Sequence, residues 1–329
     1  MKASLFNQAR RLYQHHRSRH ERRFRSELAA GHPLKMAEVE AVLDQLGIGS
    51  GDYVSIHSHS AVLAQVEGGI TALLNHLKER VTPDGLLWMT NSPFRGAMWE
   101  YASKDPVFDV RRTPSQMGLI TELFRRGRGT TRSVHPTHSV ALWGNKAEEW
   151  AVGHEDDPVP FHLNGPYGRF YRHGGKVLFM ELDGWHLTEM HTVEGILRDR
   201  FPAKAYLERP VDMRVVDWHG QERRVSVFLH NPVFSAQIDP RHYYPEMERL
   251  GIVKRVSLRG YIPFVLVDVT PMIDYFLERV LRGRDYYHWT SGTGYLRGFL
   301  MRLESKAPPA AVLPAALPAK PPEPGPARR

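Results

Sequence analysis

The sequence contains no cysteine. That excludes disulfides, thiolate catalysis and cysteine-ligated zinc, and it fits a cytoplasmic protein. No run of eighteen apolar residues occurs, so no transmembrane helix is expected. The opening Met1-Lys2-Ala3-Ser4 soon turns charged and lacks the apolar stretch of a signal peptide. There is no Gly-x-Ser-x-Gly elbow, no phosphate-binding Lys loop and no Gly-rich dinucleotide fingerprint. No Glu-x-x-His helix pair is found, and His15-His16 sit among repelling arginines, so no metal site is expected.

The net charge of +8 is absent from the middle of the chain. Residues 1–30 carry eight basic residues against two acidic ones, and residues 306–329 carry four against one. The residues between them net to −1. A groove that tracks phosphates needs its charge on the folded domain, so nucleic acid is not an expected partner.

What is present is enough for one large domain: 329 residues, 42% of them apolar. Residues 1–32 read as a basic helical arm, with Leu5, Ala9, Leu12 and Tyr13 at helical spacing. Two roles suit it: a solvated arm packed lightly on the domain, or a contact with an anionic membrane surface or a partner subunit. Residues 33–290 form the domain proper, 291–305 a short C-terminal segment, and 306–329 a disordered tail. From Ala307 onward that tail holds eight of the 24 prolines. The quaternary state stays open.

Within the domain the pattern alternates. Helices are predicted at 37–46, 69–81, 116–125, 187–198 and 273–281. Strands are predicted at 53–57, 86–90, 140–143 and 177–181. The alternation predicts an α/β fold, a layered α/β/α sandwich with a mixed sheet. Residues 211–217 and 223–229 are β-rich and flank Trp218-His219-Gly220-Gln221, which reads as a hairpin turn. An antiparallel β addition to the sheet is expected around 203–260.

Three segments carry candidate chemistry. In Thr188-Glu189-Met190-His191-Thr192-Val193-Glu194, His191 and Glu194 lie three apart and share a helix face. A carboxylate beside an imidazole raises its basicity and fixes its tautomer, as a general base requires. Thr188, three residues earlier, can donate to a developing oxyanion. The same spacing also suits a solvent-facing ion pair. His57-Ser58-His59-Ser60 leads to Gly68-Gly69 at a helix start, which suits a phosphate group or a plain capped connection. Arg132-Ser133-Val134-His135-Pro136-Thr137-His138-Ser139 suits an anionic group at a strand entrance, or a turn fixed by Pro136.

In order along the chain, these segments resemble the aminoglycoside 3-N-acetyltransferase family over about Pro33 to Tyr287. The family's His-Ser-Ser strand end with its Gly-Gly helix start is similar to His57-Ser58-His59-Ser60 and Gly68-Gly69. Its Pro-Asp-Gly-Thr-Leu block is matched by Pro83-Asp84-Gly85-Leu86-Leu87, and Thr-Pro-x-x-Met-Gly by Thr113-Pro114-Ser115-Gln116-Met117-Gly118. Arg-Ser-x-His-Pro-x-x-Ser is matched by Arg132 to Ser139, and Ser-Pro-x-Gly-Arg-Leu-Tyr by Gly165-Pro166-Tyr167-Gly168-Arg169-Phe170-Tyr171. The glycine-lysine strand follows at Gly175-Lys176, and Thr-x-x-His-x-x-Glu at Thr188, His191 and Glu194.

The resemblance implies acetyl transfer from acetyl-CoA, as co-substrate, to a small-molecule amine. It implies His191 and Glu194 as the activating base and Thr188 beside the thioester. It places His57, Ser58, Ser60, Gly68, Gly69, Arg132, Ser133, His135 and Ser139 around the cofactor cleft. Where the family has the acidic stretch Asp-Pro-Phe-Gly-Glu-x-Ser-Pro, this chain runs from Asp157 to Pro166 without the glutamate and the serine. Asp157, Asn164 and Tyr167 are the candidate acceptor contacts. His59 replaces a serine, and Glu67 adds a charge. Fewer carboxylates suit an ordinary amino sugar better than a polyamine drug. Two other functions stay in play: hydrolysis of an acyl-CoA, and a catalytically inert binding or scaffold protein.

Overall fold

The computed structural model describes residues 19–283, apart from 97, 185–186, 232–233 and 235–239. Ten strands occur among the described residues: β1 Tyr53–Ser58, β2 Leu86–Thr90, β3 Val107–Asp109, β4 Thr131–Arg132, β5 Val140–Gly144, β6 Lys176–Met180, β7 Val211–Val216, β8 Glu222–Val227, β9 Val253–Leu258 and β10 Ile262–Asp268. Seven build the main sheet in the order β4-β5-β2-β1-β6-β10-β9. The central trio β2, β1 and β6 is parallel, and the flanking strands pair antiparallel.

The sequence dictates this placement through alternation. In β2, Leu86 and Trp88 face one layer and Leu87 and Met89 the other, and every residue of the strand is buried. Burial on both faces is what a central parallel strand requires. The helices Met36–Leu46, Gly69–Val81 and Leu119–Arg125 cover one face. The helices Pro166–Arg172, Thr192–Leu197 and Val269–Leu281 cover the other. The result is the α/β/α sandwich with a mixed sheet.

The antiparallel strands of the C-terminal half fall in two places. The hairpin β7–β8 turns at Trp218–Gln221 as its sequence suggests, but it does not join the main sheet. It pairs with β3 into a three-stranded sheet over its own core of Phe108, Val110, Met213, Val215, Val225 and Val227. The antiparallel extension of the main sheet is instead β9–β10. That pair runs to Asp268, beyond the expected 203–260.

Residues 19–29 are helical. Phe24 is buried against the sheet's outer layer. Arg259 binds Glu27 and Glu38 at 3.1 and 2.8 Å, and Tyr261 donates to Glu27. This part of the arm is therefore docked on the β9–β10 turn. The remainder of the arm (1–18), the segment 291–305 and the tail 306–329 lie outside the described residues. No helix among the described residues is long and apolar enough to cross a membrane.

Candidate active site

The parallel strands β1, β2 and β6 end at one edge of the sheet, where an open α/β sheet forms its ligand crevice. Beyond β6 the chain makes a 3₁₀ turn, Thr188–His191, which runs directly into the helix Thr192–Leu197. The expected single helix at 187–198 is thus a tightened turn followed by an α-helix. Tightening of this kind is common at helix ends.

His191 is the last residue of the 3₁₀ turn, and Glu194 lies in the first turn of the helix. The His191 Nδ1–Glu194 Oε1 distance is 2.8 Å. The carboxylate is 1% exposed. The imidazole is 15% exposed, so this is no solvent-facing ion pair. Burial alone would raise the Glu194 pKa, but the charge and hydrogen bond of His191 and the hydrogen bond of His230 hold it down to about 2. Glu194 is therefore ionised and accepts N–H from His191 Nδ1. That tautomer, assigned from the hydrogen bond, leaves Nε2 as the acceptor. Thr188 is half-buried at the start of the same turn.

The helix reaches this position because residue 195 is glycine. A Cβ there would lie 2.0 Å from the carbonyl oxygen of Phe161. Close approach sets the Phe161 ring 5.1 Å from the His191 ring.

Three groups the sequence did not single out, His230, Glu189 and Ser55, complete the centre. His230 Nε2 donates to the second oxygen of Glu194 at 3.2 Å, and its ring lies 4.4 Å from that of His191. Glu189, from the same 3₁₀ turn, accepts from Ser55 Oγ at 2.6 Å and lies 3.2 Å from His57 Nε2. Burial would raise the Glu189 pKa, yet His57 and Ser55 hold it below the usual range. No local pattern announces these partners: His230 and Glu194 are 36 residues apart, and Ser55 and Glu189 are 134 apart. A chain of buried imidazoles continues inward, with His138 5.5 Å from His230, and His135 4.4 Å from His154.

The expected cofactor residues divide. Arg132 is 1% exposed, with Nε donating to Ser139 and the other nitrogens to the carbonyls of Thr113 and Asn91. Its donors tie loops together. Ser139 Oγ donates to the Asn91 carbonyl, and Ser133 Oγ lies 2.8 Å from His154 Nδ1. His135 Nδ1 accepts the backbone N–H of His138 at 3.0 Å and is completely buried. These three also belong to the interior. His57 holds Glu189. Ser58, Ser60, Gly68 and Gly69 remain at the crevice edge, with Ser60 opening the short helix Ser60–Leu63 and Gly69 the helix Gly69–Val81.

The acceptor candidates divide likewise. Asp157 is bound by Arg198 Nη1 at 2.9 Å and Nη2 at 2.5 Å. Tyr167 is buried edge-on to Trp88 and Phe161. Asn164 is exposed. Glu155, another nearby acid, binds Arg223.

His191, Glu194 and His230 offer three ligand atoms within 4.8 Å of one another, a metal-type constellation the sequence did not reveal. Both imidazoles lie at hydrogen-bond distance from the carboxylate, which makes the set complete as a proton-holding unit. The crevice also fits an acyl-CoA. Ser58 Oγ, in the last residue of β1, and Asn91 Oδ1, just beyond β2, are buried with no partner among the described residues. An amide-rich thioester arm provides what such atoms lack.

The sequence profile of the aminoglycoside 3-N-acetyltransferase family matches residues 56–280. Aminoglycoside N(3)-acetyltransferase VIII of Streptomyces fradiae is 28% identical over 197 residues, which cover 55% of this chain and 68% of that protein. An aminoglycoside N(3')-acetyltransferase-like protein of Bacillus subtilis is 29% identical over 180 residues, 49% of this chain and 65% of its own. The fold is similar to AAC-IIIb in binary complex with CoASH, with a TM-score of 0.61, 22% identity, and coverage of 77% and 97% of the two chains. It is also similar to a variant of AAC(3)-IVa in complex with apramycin, with a TM-score of 0.60, 20% identity, and coverage of 76% and 93%.

Proposed function

The chain belongs to the aminoglycoside 3-N-acetyltransferase family, a family of acyltransferases, and from that premise we propose that it moves an acetyl group from acetyl-CoA to an amine of an amino sugar or aminoglycoside. The observation that carries this reading is the buried His191–Glu194 pair at 2.8 Å, with the carboxylate held ionised.

An ammonium nitrogen has no lone pair to attack with, so a base must take its proton. His191 Nε2 takes it, and the imidazolium that forms is stabilised by Glu194 through Nδ1–H. The freed amine forms a bond to the thioester carbonyl carbon, the C–S bond breaks, and the departing sulfur takes the proton from the His191 imidazolium while the new amide nitrogen loses its remaining extra proton to solvent. Thr188 supplies a hydroxyl donor for the carbonyl oxygen as it gains charge. Acetyl-CoA contributes the activated acyl group. Ser58, Asn91 and the backbone N–H groups at the start of the helix Gly69–Val81 would hold it.

The acidic side chains near this centre argue for the kind of acceptor. Asp157 and Glu155 are each neutralised by an arginine. A polycationic drug gains little from carboxylates already paired, whereas a monoamine sugar needs fewer. The test is free-thiol release from acetyl-CoA with a panel of amines, including aminoglycosides and nucleotide-linked amino sugars. Release that depends on an amine supports the reading. Equal release without any amine overturns it in favour of acyl-CoA hydrolysis.

A further inference from the structure

We propose that His230 is a positioning residue for the base: its Nε2–H holds the second oxygen of Glu194 so that the first stays aimed at His191. This rests on the acetyl-transfer reading of the same centre and adds a third member to it.

Three observations carry the proposal. The contacts are divided, with His191 Nδ1 on Oε1 at 2.8 Å and His230 Nε2 on Oε2 at 3.2 Å. One carboxylate thus joins two imidazoles, and its plane is fixed at both ends. The backbone at His230 is fixed as well. It bridges Tyr206, and the flanking bonds run from Leu207 N to Leu229 O and from Asn231 N to Ala205 O, both at 2.9 Å. Finally, the ring is clamped between neighbours. It stacks on Tyr206 with centroids 4.9 Å apart and on Phe161 at 5.5 Å. A ring held this firmly has one orientation in which to donate.

Its charge state suits the role. Burial, reinforced by the nearby His191, lowers the His230 pKa, and Glu194 only partly opposes this. A neutral His230 donates a proton without cancelling the charge that His191 needs. The titratable groups facing the pair are His138, whose ring is 5.5 Å from His230, and Tyr206; Phe161 is apolar. Burial also lowers the pKa of His138, so it brings no charge to the site at neutral pH.

The test compares His230→Phe with His230→Gln in the full chain. Phenylalanine keeps the ring stacking and removes the donor. Glutamine restores an amide N–H where Nε2 stood. His230→Phe is expected to lower kcat by about tenfold with the KM for acetyl-CoA unchanged. The pH profile of kcat/KM is expected to move as well, because Glu194 then bonds to His191 alone. His230→Gln should recover most of kcat. NMR of the His191 ring nitrogens against pH reads the same coupling without any acceptor. A displaced His191 titration in folded His230→Phe supports the inference even if no amine is ever acetylated, in which case the functional reading fails alone. Unchanged kcat and an unchanged His191 titration in folded His230→Phe would overturn it. So would a folded His230→Gln as impaired as His230→Phe.

Discussion

At the scale of single residues, Glu194 and Arg132 differ in what burial brings them against. Both are about 1% exposed, yet the Glu194 contacts are imidazoles and the Arg132 contacts are carbonyls and a serine hydroxyl. Glu194→Gln keeps the shape and removes the charge that steadies the His191 imidazolium. We expect kcat to fall by about 10²-fold and the melting temperature at neutral pH to drop as well, because the ionised partner of two imidazoles is lost. Steady-state kinetics and a thermal melt check this together. Arg132→Met leaves the carbonyls of Thr113 and Asn91 without donors. We expect a loss of about 3 kcal/mol or more in urea unfolding, with the KM for acetyl-CoA unaltered. A raised KM at full stability would return Arg132 to the cofactor cleft. The sequence made His191, Glu194 and Thr188 legible because they lie within one helical turn. It did not make His230 or Ser55 legible, because their contacts with Glu194 and Glu189 arise only when distant strands close on the 3₁₀ turn. Arg132 is ambiguous in the sequence for a related reason: an arginine beside hydroxyls looks the same whether its acceptors are phosphates or loop carbonyls.

At the scale of elements, the central strands and the covering helices were readable from period. Gly69–Val81 and Leu86–Thr90 fall where the hydrophobic pattern and the breaker Pro83-Asp84-Gly85 put them. The pair β9–β10 was not read, although Ile262–Asp268 is buried almost throughout. A short apolar run is ambiguous between strand and helix until its partner is known. The partnership of β7–β8 was also beyond the sequence. A hairpin signal fixes the turn but not which sheet receives it. Gly195 is the element-scale feature with the sharpest consequence. Gly195→Ala would drive the helix Thr192–Leu197 off the Phe161 carbonyl. We expect a cost of about 1–3 kcal/mol in stability. Because Glu194 moves with the helix, kcat should fall by about 10²-fold even in the folded fraction. A folded variant with wild-type turnover would show that the helix tolerates displacement.

At the scale of the whole molecule, the interior is rich in neutral histidine. Burial pushes His135 and His138 well below the ordinary imidazole range, His154 to about 3, and His230 downward. Neighbouring imidazoles add to the effect. The unfolded chain binds protons at these sites below about pH 6.5, and the folded chain does not. Their contribution to stability is complete above that pH and is lost as pH falls, by up to about 1.4 kcal/mol per unit for each histidine. Glu194 acts in a separate, lower window: it adds stability above the unfolded carboxyl value that disappears as pH falls toward about 2. The expected outcome is a flat melting temperature from pH 8 to about 6.5 and a steep fall from there to pH 5. A flat profile down to pH 5 would mean the histidines are hydrated or paired in solution.

The central claim is that His191 is the base for acetylation of an amine. Its most direct measurement is mass spectrometry of an amino-sugar or aminoglycoside acceptor after incubation with acetyl-CoA. The wild-type chain is expected to leave an acetyl group on the acceptor nitrogen. Folded His191→Ala, matched in acetyl-CoA binding, is expected to leave none beyond the uncatalysed background. An acceptor acetylated as fast by His191→Ala as by the wild type would contradict the account.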